Sequence, residues 1–315
     1  MYLRHFSLRE APFSITPDSA FFYAHDGAQA ALNMLLVALR SGEGFLKIVG
    51  EVGCGKTVLC RQLLKTLQGE CVTAYIPNPD MGPDDLLRAL MQELGLDNSP
   101  RAGRRPAKRQ APSRYELLDT LRDGLLQHAQ ADRRVVVCID EAQAIPLATL
   151  ESLRLLSNLE TEKRKLLQLV LLGQPELDVT LLRPEIRQLL QRITFSEHLG
   201  PMAAHGVPTY LAHRLATAAL SEATDTQVFE LDAAQLLARL SGGVPRLVNI
   251  LAHKGLMLAY GENLHRVNCQ HVQLAALDTP GVRALAPVSW LVRWLPWASR
   301  RPRQKLQNDQ QGAAL

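Results

Sequence analysis

Aromatic residues are scarce in this chain of 315 residues, and long apolar runs are absent from it. Phe, Trp and Tyr together make up 5% of the residues, whereas hydrophobic residues reach 47% and charged residues 21%. A helix that crosses a bilayer needs about 18 consecutive apolar residues, and no window of the sequence reaches that length. The composition predicts a globular protein with a sizeable core, in which helix is favoured over an all-β sandwich.

The cysteines are few, and they do not form a recognisable framework. There are five of them, an odd number, and no C-x-x-C pair occurs. This pattern argues against both a disulfide framework and a zinc ribbon. The opening residues, MYLRHFSLREAPF, have no apolar run behind a basic start, so no signal peptide is predicted. We therefore expect a protein of a reducing compartment, on the cytoplasmic side.

Positive charge is concentrated in two segments rather than spread over the chain. The whole sequence carries +4, but residues 100–114 hold six basic residues and no acid, and residues 281–315 hold six basic residues and one acid. The rest of the chain is therefore mildly acidic, at −7. For the basic insert at 97–114 we expect a solvated, flexible loop, with contact to nucleic acid or anionic lipid as the alternative.

The basic tail also contains the three tryptophans of the chain, Trp290, Trp294 and Trp297. Tryptophan and leucine beside a basic cluster are typical of a segment that lies at a membrane interface, although residues 288–305 are too short to span a bilayer. Two interpretations stay open for this segment. It makes a peripheral contact with the inner membrane, or it docks on this protein or on a partner protein.

Short apolar strands alternate with helices over the first 200 residues. The predicted strands are 45–50, 71–76, 134–140 and 166–173, and the predicted helices are 28–40, 58–67, 84–96, 115–130 and 147–160. Strands that consist of nearly continuous apolar residues indicate a parallel sheet covered on both faces. Only helices follow, at 206–220, 232–240, 245–260 and 270–277. We predict an α/β domain at 1–200, a small helical domain at 201–280 and a tail at 281–315.

A glycine-rich segment lies between the first predicted strand and the next helix, and it fits the pattern G-x-x-x-x-G-K-[ST]. Glycines allow backbone N–H groups to wrap a phosphate without Cβ clashes, and the helix N-terminus adds its dipole. Lys56 would bring a positive charge to the β and γ oxygens, and the Thr57 hydroxyl is a predicted Mg²⁺ ligand. The predicted nucleotide-binding residues are Gly50, Glu51, Val52, Gly53, Cys54, Gly55, Lys56, Thr57 and Val58.

Two acidic residues, Asp140 and Glu141, directly follow the apolar strand at 134–140. In P-loop ATPases a strand beside the phosphate loop ends in an Asp that holds Mg²⁺ through water, and a second acid can polarise the attacking water. We therefore expect Asp140 on the metal side and Glu141 as general base. The alternative is that both are ordinary acids of a strand-end turn.

Five segments occur in an order that resembles one family. They are GEGFLKIVGEVGCGKT, VVVCIDEAQ, LLGQPEL, RPEIRQLLQRITF and GGVPRLVN. Together with the opening HFSLREAPFSITPDSAFFY, they resemble the ExeA/GspA-type AAA+ ATPases, and especially the MshM-like proteins of mannose-sensitive haemagglutinin (type IV) pilus biogenesis. The resemblance covers residues 1–280. It implies an AAA+ parallel sheet between helices with a small all-helical lid, ATP and Mg²⁺ as cofactors, and a homo-oligomeric ring of the hexamer type.

The resemblance also implies roles for further residues. Gln174 matches the polar sensor of the γ-phosphate, with a strand-capping amide as the alternative. Arg192 matches the arginine that reaches a neighbour's ATP site, although Arg187 is a rival and a salt-bridged helix arginine is the alternative. Arg246 matches the lid arginine that approaches the γ-phosphate, against a surface arginine. Phe13 or Tyr23 lies beside the adenine or packs in the core.

The function that the resemblance implies is ATP hydrolysis that drives assembly of a type IV pilus or a related type II secretion apparatus. Its partners would be inner-membrane assembly proteins. Two alternatives remain: a DNA-acting ATPase of the transposition type, and a nucleotide-gated scaffold that hydrolyses ATP slowly. The acidic body argues mildly against nucleic acid binding. Larger relatives continue into a membrane span and a peptidoglycan-binding domain, so a wall-binding role is not expected.

Overall fold

The computed structural model describes most of the chain outside the two basic segments. The described residues are 2–96, 112–161, 164–221 and 224–282. Most of the predicted basic insert, and all but the first two residues of the predicted tail at 281–315, lie outside these ranges, so the expectations for both remain predictions. Within the described ranges, no helix combines the length and the apolarity that crossing a membrane requires.

Five parallel strands form one sheet. They are β1 (Phe45–Val49), β2 (Cys71–Ile76), β3 (Arg134–Ile139), β4 (Gln168–Gly173) and β5 (Phe195–His198). Their order across the sheet is β2-β3-β4-β1-β5, and every neighbouring pair is parallel. The predicted parallel sheet is confirmed. Because β1 and β3 both adjoin β4, the segments that follow these three strands meet at one edge of the sheet.

Helices follow most of the strands and make up the C-terminal part. Before the last strand they are α1 (Tyr2–His5), α2 (Asp26–Arg40), α3 (Lys56–Leu67), α4 (Pro83–Glu93), α5 (Arg114–Gln130), α6 (Leu147–Leu156), α7 (Glu176–Leu181) and α8 (Arg187–Leu190). After it they are α9 (Gly206–Ala218), α10 (Leu231–Ser241), α11 (Pro245–Gly261) and α12 (Cys269–Leu277). The sequence predicted none of α1, α7 and α8, which are short.

Both faces of the sheet are covered by apolar helix surfaces. Successive side chains of a strand point to opposite faces, so Leu171 joins the cluster that contains α4, α5 and α6 residues, whereas Leu172 joins the one that contains α2 and α3 residues. All six residues of β4 are buried. Because both faces of the inner strands are buried, these strands consist almost entirely of apolar residues.

The edge strand β5 was not predicted, and its composition explains why. Its four residues, Phe-Ser-Glu-His, are all exposed. They pair with β1 from Leu46 opposite Phe195 to Val49 opposite His198. A strand that is paired on one side only and whose residues are all exposed carries no apolar run, so sequence pattern alone does not reveal it.

A third apolar cluster holds the C-terminal helices together and includes the N-terminus of the chain. Phe6, Phe13 and Phe21 are buried in it with residues of α9 to α12. The Arg9 N–H donates to the carbonyl of Ala218, 2.9 Å away. Residues 1–282 form one compact unit. A division of this unit at residue 200 therefore stays a prediction, and the N-terminal residues pack with the helices that follow that boundary.

Candidate functional site

The loop between β1 and α3 has a backbone that only glycine adopts readily. Gly53 has a φ of +85° and Gly55 a φ of +96°, in the region that costs energy for residues with a Cβ. At Gly53 there is also no space, because an added Cβ would lie 2.7 Å from the Cβ of Arg246. The glycines of the motif therefore shape the loop and let α11 approach it closely.

Lys56 begins α3, and its side chain folds back over the loop. Its Nζ donates to the carbonyl oxygens of Gly50, at 2.7 Å, and Glu51, at 3.1 Å. The residue is 6% exposed, and none of the ion pairs among the described residues includes it. A buried ammonium group whose partners are neutral carbonyls is well suited to bind an anion at the same place.

Asp140 lies directly after β3 and is 2% exposed. Its Oδ2 accepts hydrogen bonds from the hydroxyls of Thr57, at 2.6 Å, and Tyr75, at 3.2 Å. Its Oδ1 accepts from the backbone N–H of Glu141, at 2.9 Å. All three donors are neutral, and no cation pairs with Asp140 among the described residues. This arrangement fits a divalent cation, because a buried carboxylate is costly without a positive partner and hydroxyl and carboxylate oxygens are suitable ligands.

Glu141 has a left-handed backbone, with φ 51° and ψ 38°, which is uncommon for a residue other than glycine. Its Oε2 accepts from Nε2 of Gln143, at 2.6 Å, and from Nε2 of Gln174, at 3.1 Å. The Oε1 of Gln143 in turn accepts from the backbone N–H of Gln174, at 2.9 Å. Gln143, which the sequence analysis did not single out, thus ties the segment after β3 to the segment after β4.

Arg246 brings the C-terminal helices to the glycine-rich loop between β1 and α3. Its backbone N–H donates to the carbonyl of Gly53, at 3.2 Å, and Arg246 is the second residue of α11. Pro245, the first residue of that helix, fixes the backbone at a position where the missing N–H costs nothing. The two residues line the same cavity as the loop.

A cavity of about 230 Å³ joins most of the predicted site residues. Its lining divides into three groups. The first group, at one end, is the loop from Val52 to Val58 with Glu141, Gln174 and Arg246. The second group, at the other end, consists of Ser14–Asp18, Phe21–Tyr23, Tyr210, Arg214 and Asn249. The third group consists of His25, Ala28, Leu199, Met202 and Pro245. The first group is cationic and rich in N–H groups, whereas the second combines four aromatic side chains with polar and charged ones. The predicted residues Gly50, Glu51 and Asp140 adjoin this lining through the bonds described above.

Arg192 lies apart from this cavity. It is half-buried, and its guanidinium donates to the hydroxyl of Ser157 at 2.8 Å. The rival Arg187 is exposed, at the start of α8. Neither arginine lines the cavity of its own chain, as is required of a residue that acts on a neighbouring subunit. The choice between them stays open.

Phe13 and Tyr23 have different environments. Phe13 is 2% exposed and makes an edge contact with Phe229, with ring centroids 5.8 Å apart, so it packs in the core. Tyr23 lines the cavity and lies edge-on to Tyr210 at 5.6 Å. Of the two aromatic candidates, only Tyr23 is in a position to contact a bound molecule.

Arg214 of α9 is a cavity residue that sequence reasoning missed. It is 7% exposed, and it donates to the carbonyls of Pro12 and Ser14 in the N-terminal segment. Its guanidinium lies 4.5 Å from the ring centroid of Phe21, a favourable cation–π distance. Arg214 therefore fastens the N-terminal segment, which forms one wall of the cavity, to the C-terminal helices. No motif marks it, because its partners lie about 200 positions away.

Replacing Arg214 with Met should lower the free energy of unfolding by about 2 kcal/mol, because the carbonyl of the buried Pro12 and the partly buried bond to Ser14 lose their donor. Urea denaturation measures the change. Arg9→Met is the matched control, since Arg9 also donates to a backbone carbonyl, that of Thr217, but its side chain is exposed. We expect the control to change stability by less than about 0.5 kcal/mol. Equal losses in the two variants would contradict the role assigned to Arg214.

Cys54, in the middle of the loop, does not behave as a reactive thiol. It is buried, and burial raises its pKa, an effect that outweighs the lowering by Lys56. The group is therefore protonated at neutral pH, where a thiol is a poor nucleophile. Cys54 contributes packing beneath the loop, in the cluster with α2 and α3 residues.

Comparison with known proteins places the chain among P-loop proteins. A family model described as an AAA domain matches residues 39–181. The chain is 41% identical, over 283 residues, to General secretion pathway protein A of Aeromonas hydrophila. This match covers 90% of the chain and 49% of the relative, so the chain spans about half the length of the curated relative that it matches.

Solved structures with the same fold share little sequence with the chain. The ORC2 protein of Aeropyrum pernix, in its ADPNP–ADP complexes, has a TM-score of 0.60 at 20% identity, with 86% of this chain and 73% of that chain covered. Cdc6p of Pyrobaculum aerophilum has a TM-score of 0.63 at 18% identity, with 84% and 69% covered. At these identities the likeness establishes the fold alone: a parallel sheet between helices, followed by a helical part.

Proposed function

We propose that this chain, which belongs to the AAA+ P-loop proteins and is of the ExeA/GspA type, binds ATP with Mg²⁺ and hydrolyses it. The observation that carries the proposal is the single cavity lined by Lys56, Thr57, Glu141, Gln174 and Arg246. These residues come from four separate segments of the chain. A cationic loop, a carboxylate, an amide and a second cation converging at one end of a cavity suit a polyphosphate and a water that attacks it.

In this proposal the loop N–H groups and Lys56 bind the phosphates, and Gln174 and Glu141 hold the attacking water. Glu141 accepts the proton of that water, since a carboxylate is the base within reach of the phosphate end. Its bonds to Gln143 and Gln174 fix where the carboxylate points. Arg246 approaches the phosphates from the C-terminal helices of the same chain.

The residues that would hold Mg²⁺ are Thr57 and Asp140. The fit rests on the buried Asp140 carboxylate, whose hydrogen-bond donors are all neutral, and on the Thr57 hydroxyl already bonded to it. When bound, the cation neutralises charge on the phosphate oxygens. Thr57 and Asp140 keep the two oxygens that would face it in fixed positions.

The first test is ATP turnover by the purified protein, measured as phosphate release with Mg²⁺ and with EDTA. We expect Mg²⁺-dependent release from the protein alone, or from its assembled form. Parallel reactions with duplex DNA and with anionic vesicles separate the alternatives. Stimulation by DNA alone would favour a DNA-acting ATPase, and binding without turnover in every reaction would favour a nucleotide-gated scaffold.

The process that this activity serves is proposed from the relative's name. General secretion pathway protein A is a secretion protein by that name, which supports a role in type II secretion or in the related assembly of a type IV pilus, with inner-membrane assembly proteins as partners. Co-purification of the tagged protein from its native membranes, followed by identification of the bound proteins, tests this role. Recovery of DNA-transposition proteins instead would contradict it.

We also propose a homo-oligomeric ring in which Arg192 completes the ATP site of a neighbour. Arg192→Ala should keep ATP binding and lose most of its turnover, because an arginine that acts between subunits contributes about 10³-fold or more. The decisive measurement mixes it with Lys56→Ala. Each variant alone is inactive, yet a Lys56→Ala subunit can lend its Arg192 to the intact pocket of an Arg192→Ala neighbour.

The control for this mixture is Arg187→Ala, tested in the same way. If Arg187 is the arginine that acts between subunits, then Arg187→Ala rather than Arg192→Ala regains turnover when mixed with Lys56→Ala. Co-purification of an untagged Lys56→Ala subunit with a tagged Arg192→Ala subunit shows whether the two subunit types assemble together. Absence of recovery at every ratio, with mixed assemblies present, would refute action between subunits.

A further inference from the structure

Tyr75 of β2 is a second hydroxyl donor to the carboxylate of Asp140, and no role has been assigned to it above. Tyr75 lies opposite Cys138 in the β2–β3 register. Cys138 is two residues before Asp140 in the chain. Its hydroxyl lies 3.2 Å from Oδ2 of Asp140, the same oxygen that accepts from Thr57. The tyrosine ring is half-buried against the cluster that contains α2 and α3 residues.

The three donors together restrain both oxygens of the Asp140 carboxylate. Thr57 and Tyr75 bond to Oδ2, and the backbone N–H of Glu141 bonds to Oδ1. Rotation of the carboxylate would break these bonds in a site that water scarcely reaches, since Asp140 is 2% exposed. If Thr57 is a direct ligand of the cation, Tyr75 is the one side chain among these three donors that still holds Asp140 in place.

We propose that Tyr75 is a positioning residue of the divalent-cation site, which acts by orienting Asp140. The inference rests on the proposed function, because it assigns Asp140 to the cation of a bound nucleotide. Groups that orient metal-side carboxylates by hydrogen bonds commonly change metal affinity by about 10-fold or more when removed. A tyrosine that only packed beneath the strand would affect folding stability and leave the metal dependence unchanged.

The test uses Tyr75→Phe in the full chain, which removes one hydroxyl and keeps the ring. The affinity for a fluorescent ADP analogue is measured in EDTA and at a series of MgCl₂ concentrations. The readout is the MgCl₂ concentration at which half of the full gain in nucleotide affinity is reached. We expect Tyr75→Phe to raise this concentration roughly 10-fold. Its affinity in EDTA should equal that of the wild-type protein, because no phosphate-binding group has changed.

The controls separate this inference from the proposed function. Tyr115→Phe, at an exposed tyrosine of α5, should behave as wild type, and Asp140→Asn should show the largest shift. A wild-type protein that binds no nucleotide would refute the proposed function and this inference with it. A wild-type protein that responds to MgCl₂ while Tyr75→Phe has the same half-point would refute the role of Tyr75 alone. Should Tyr75→Phe fail to fold, Tyr75→Met lacks the same donor and is judged by the same shift.

Discussion

Replacing Lys56 with Ala is expected to lower the affinity for ATP at least about 100-fold, a loss of some 2.7 kcal/mol. The Nζ of Lys56 lies over the loop and donates to two neutral carbonyls, and the residue is 6% exposed. It is the lysine of the cavity lining. A charged hydrogen bond to an anion in such a place contributes about 1.5–3 kcal/mol to binding. Without the lysine, repulsion among the phosphates is also no longer compensated, which adds to the loss. Isothermal titration with ATP measures the change.

Lys65→Ala is the matched control for this variant. Lys65 lies in the last turn of the same helix, α3, and its side chain is exposed. Its removal should leave ATP affinity within about twofold of wild type, because exposed charges away from a site contribute little. Thermal unfolding without nucleotide confirms that both variants fold. If folded Lys56→Ala bound ATP within threefold of wild type, the phosphate site would lie elsewhere.

Replacing Glu141 with Gln is expected to separate binding from hydrolysis. The amide keeps the size of the side chain and a carbonyl oxygen that can accept from Gln143 and Gln174, so ATP affinity should stay within about threefold. It does not accept a proton, and loss of a general base typically costs about 10²–10⁴-fold in rate. Single-turnover phosphate release at saturating ATP measures the rate without interference from product release.

The control for Glu141 is Glu176→Gln, an exposed glutamate two residues after Gln174, at the start of α7. It removes one negative charge near the same edge of the sheet without touching the cavity, so turnover should remain at the wild-type rate. Glu141→Gln protein that releases phosphate at the wild-type rate would remove Glu141 from the role of base. The water would then be oriented by Gln174 or by a residue of another subunit.

The elements on which the site is built were predictable because their signals are local. β1, the glycine-rich loop and α3 are consecutive in the chain, and the loop needs no distant contact to be recognised. Asp140 and Glu141 were predicted for the same reason, since they follow directly on the apolar β3. The predicted helix at 147–160 ends earlier, at Leu156, because apolar spacing does not mark where a helix stops.

The residues that support these groups were not predictable, and all of them act across the chain. Tyr75 reaches Asp140 over 65 positions, Gln143 reaches Gln174 over 31, and Arg214 reaches Pro12 over 202. A tyrosine in a strand or an arginine in a helix has no distinctive pattern around it. Their roles depend on which strands are neighbours and on where the N-terminal segment packs.

By itself the sequence determined that this chain forms a parallel α/β sheet with a glycine-rich loop, an acidic strand end and a helical C-terminal part. Those features depend on apolar periodicity, glycine spacing and residue order, which are properties of short segments. Only the tertiary structure decided that Arg246 contacts Gly53, that Tyr75 shares Asp140 with Thr57, and that Phe13 packs in the core while Tyr23 lines the cavity. Such contacts arise from the order of the strands and the path of the chain between them, because hydrogen bonds and packing act between atoms that are close in space whatever their separation in sequence.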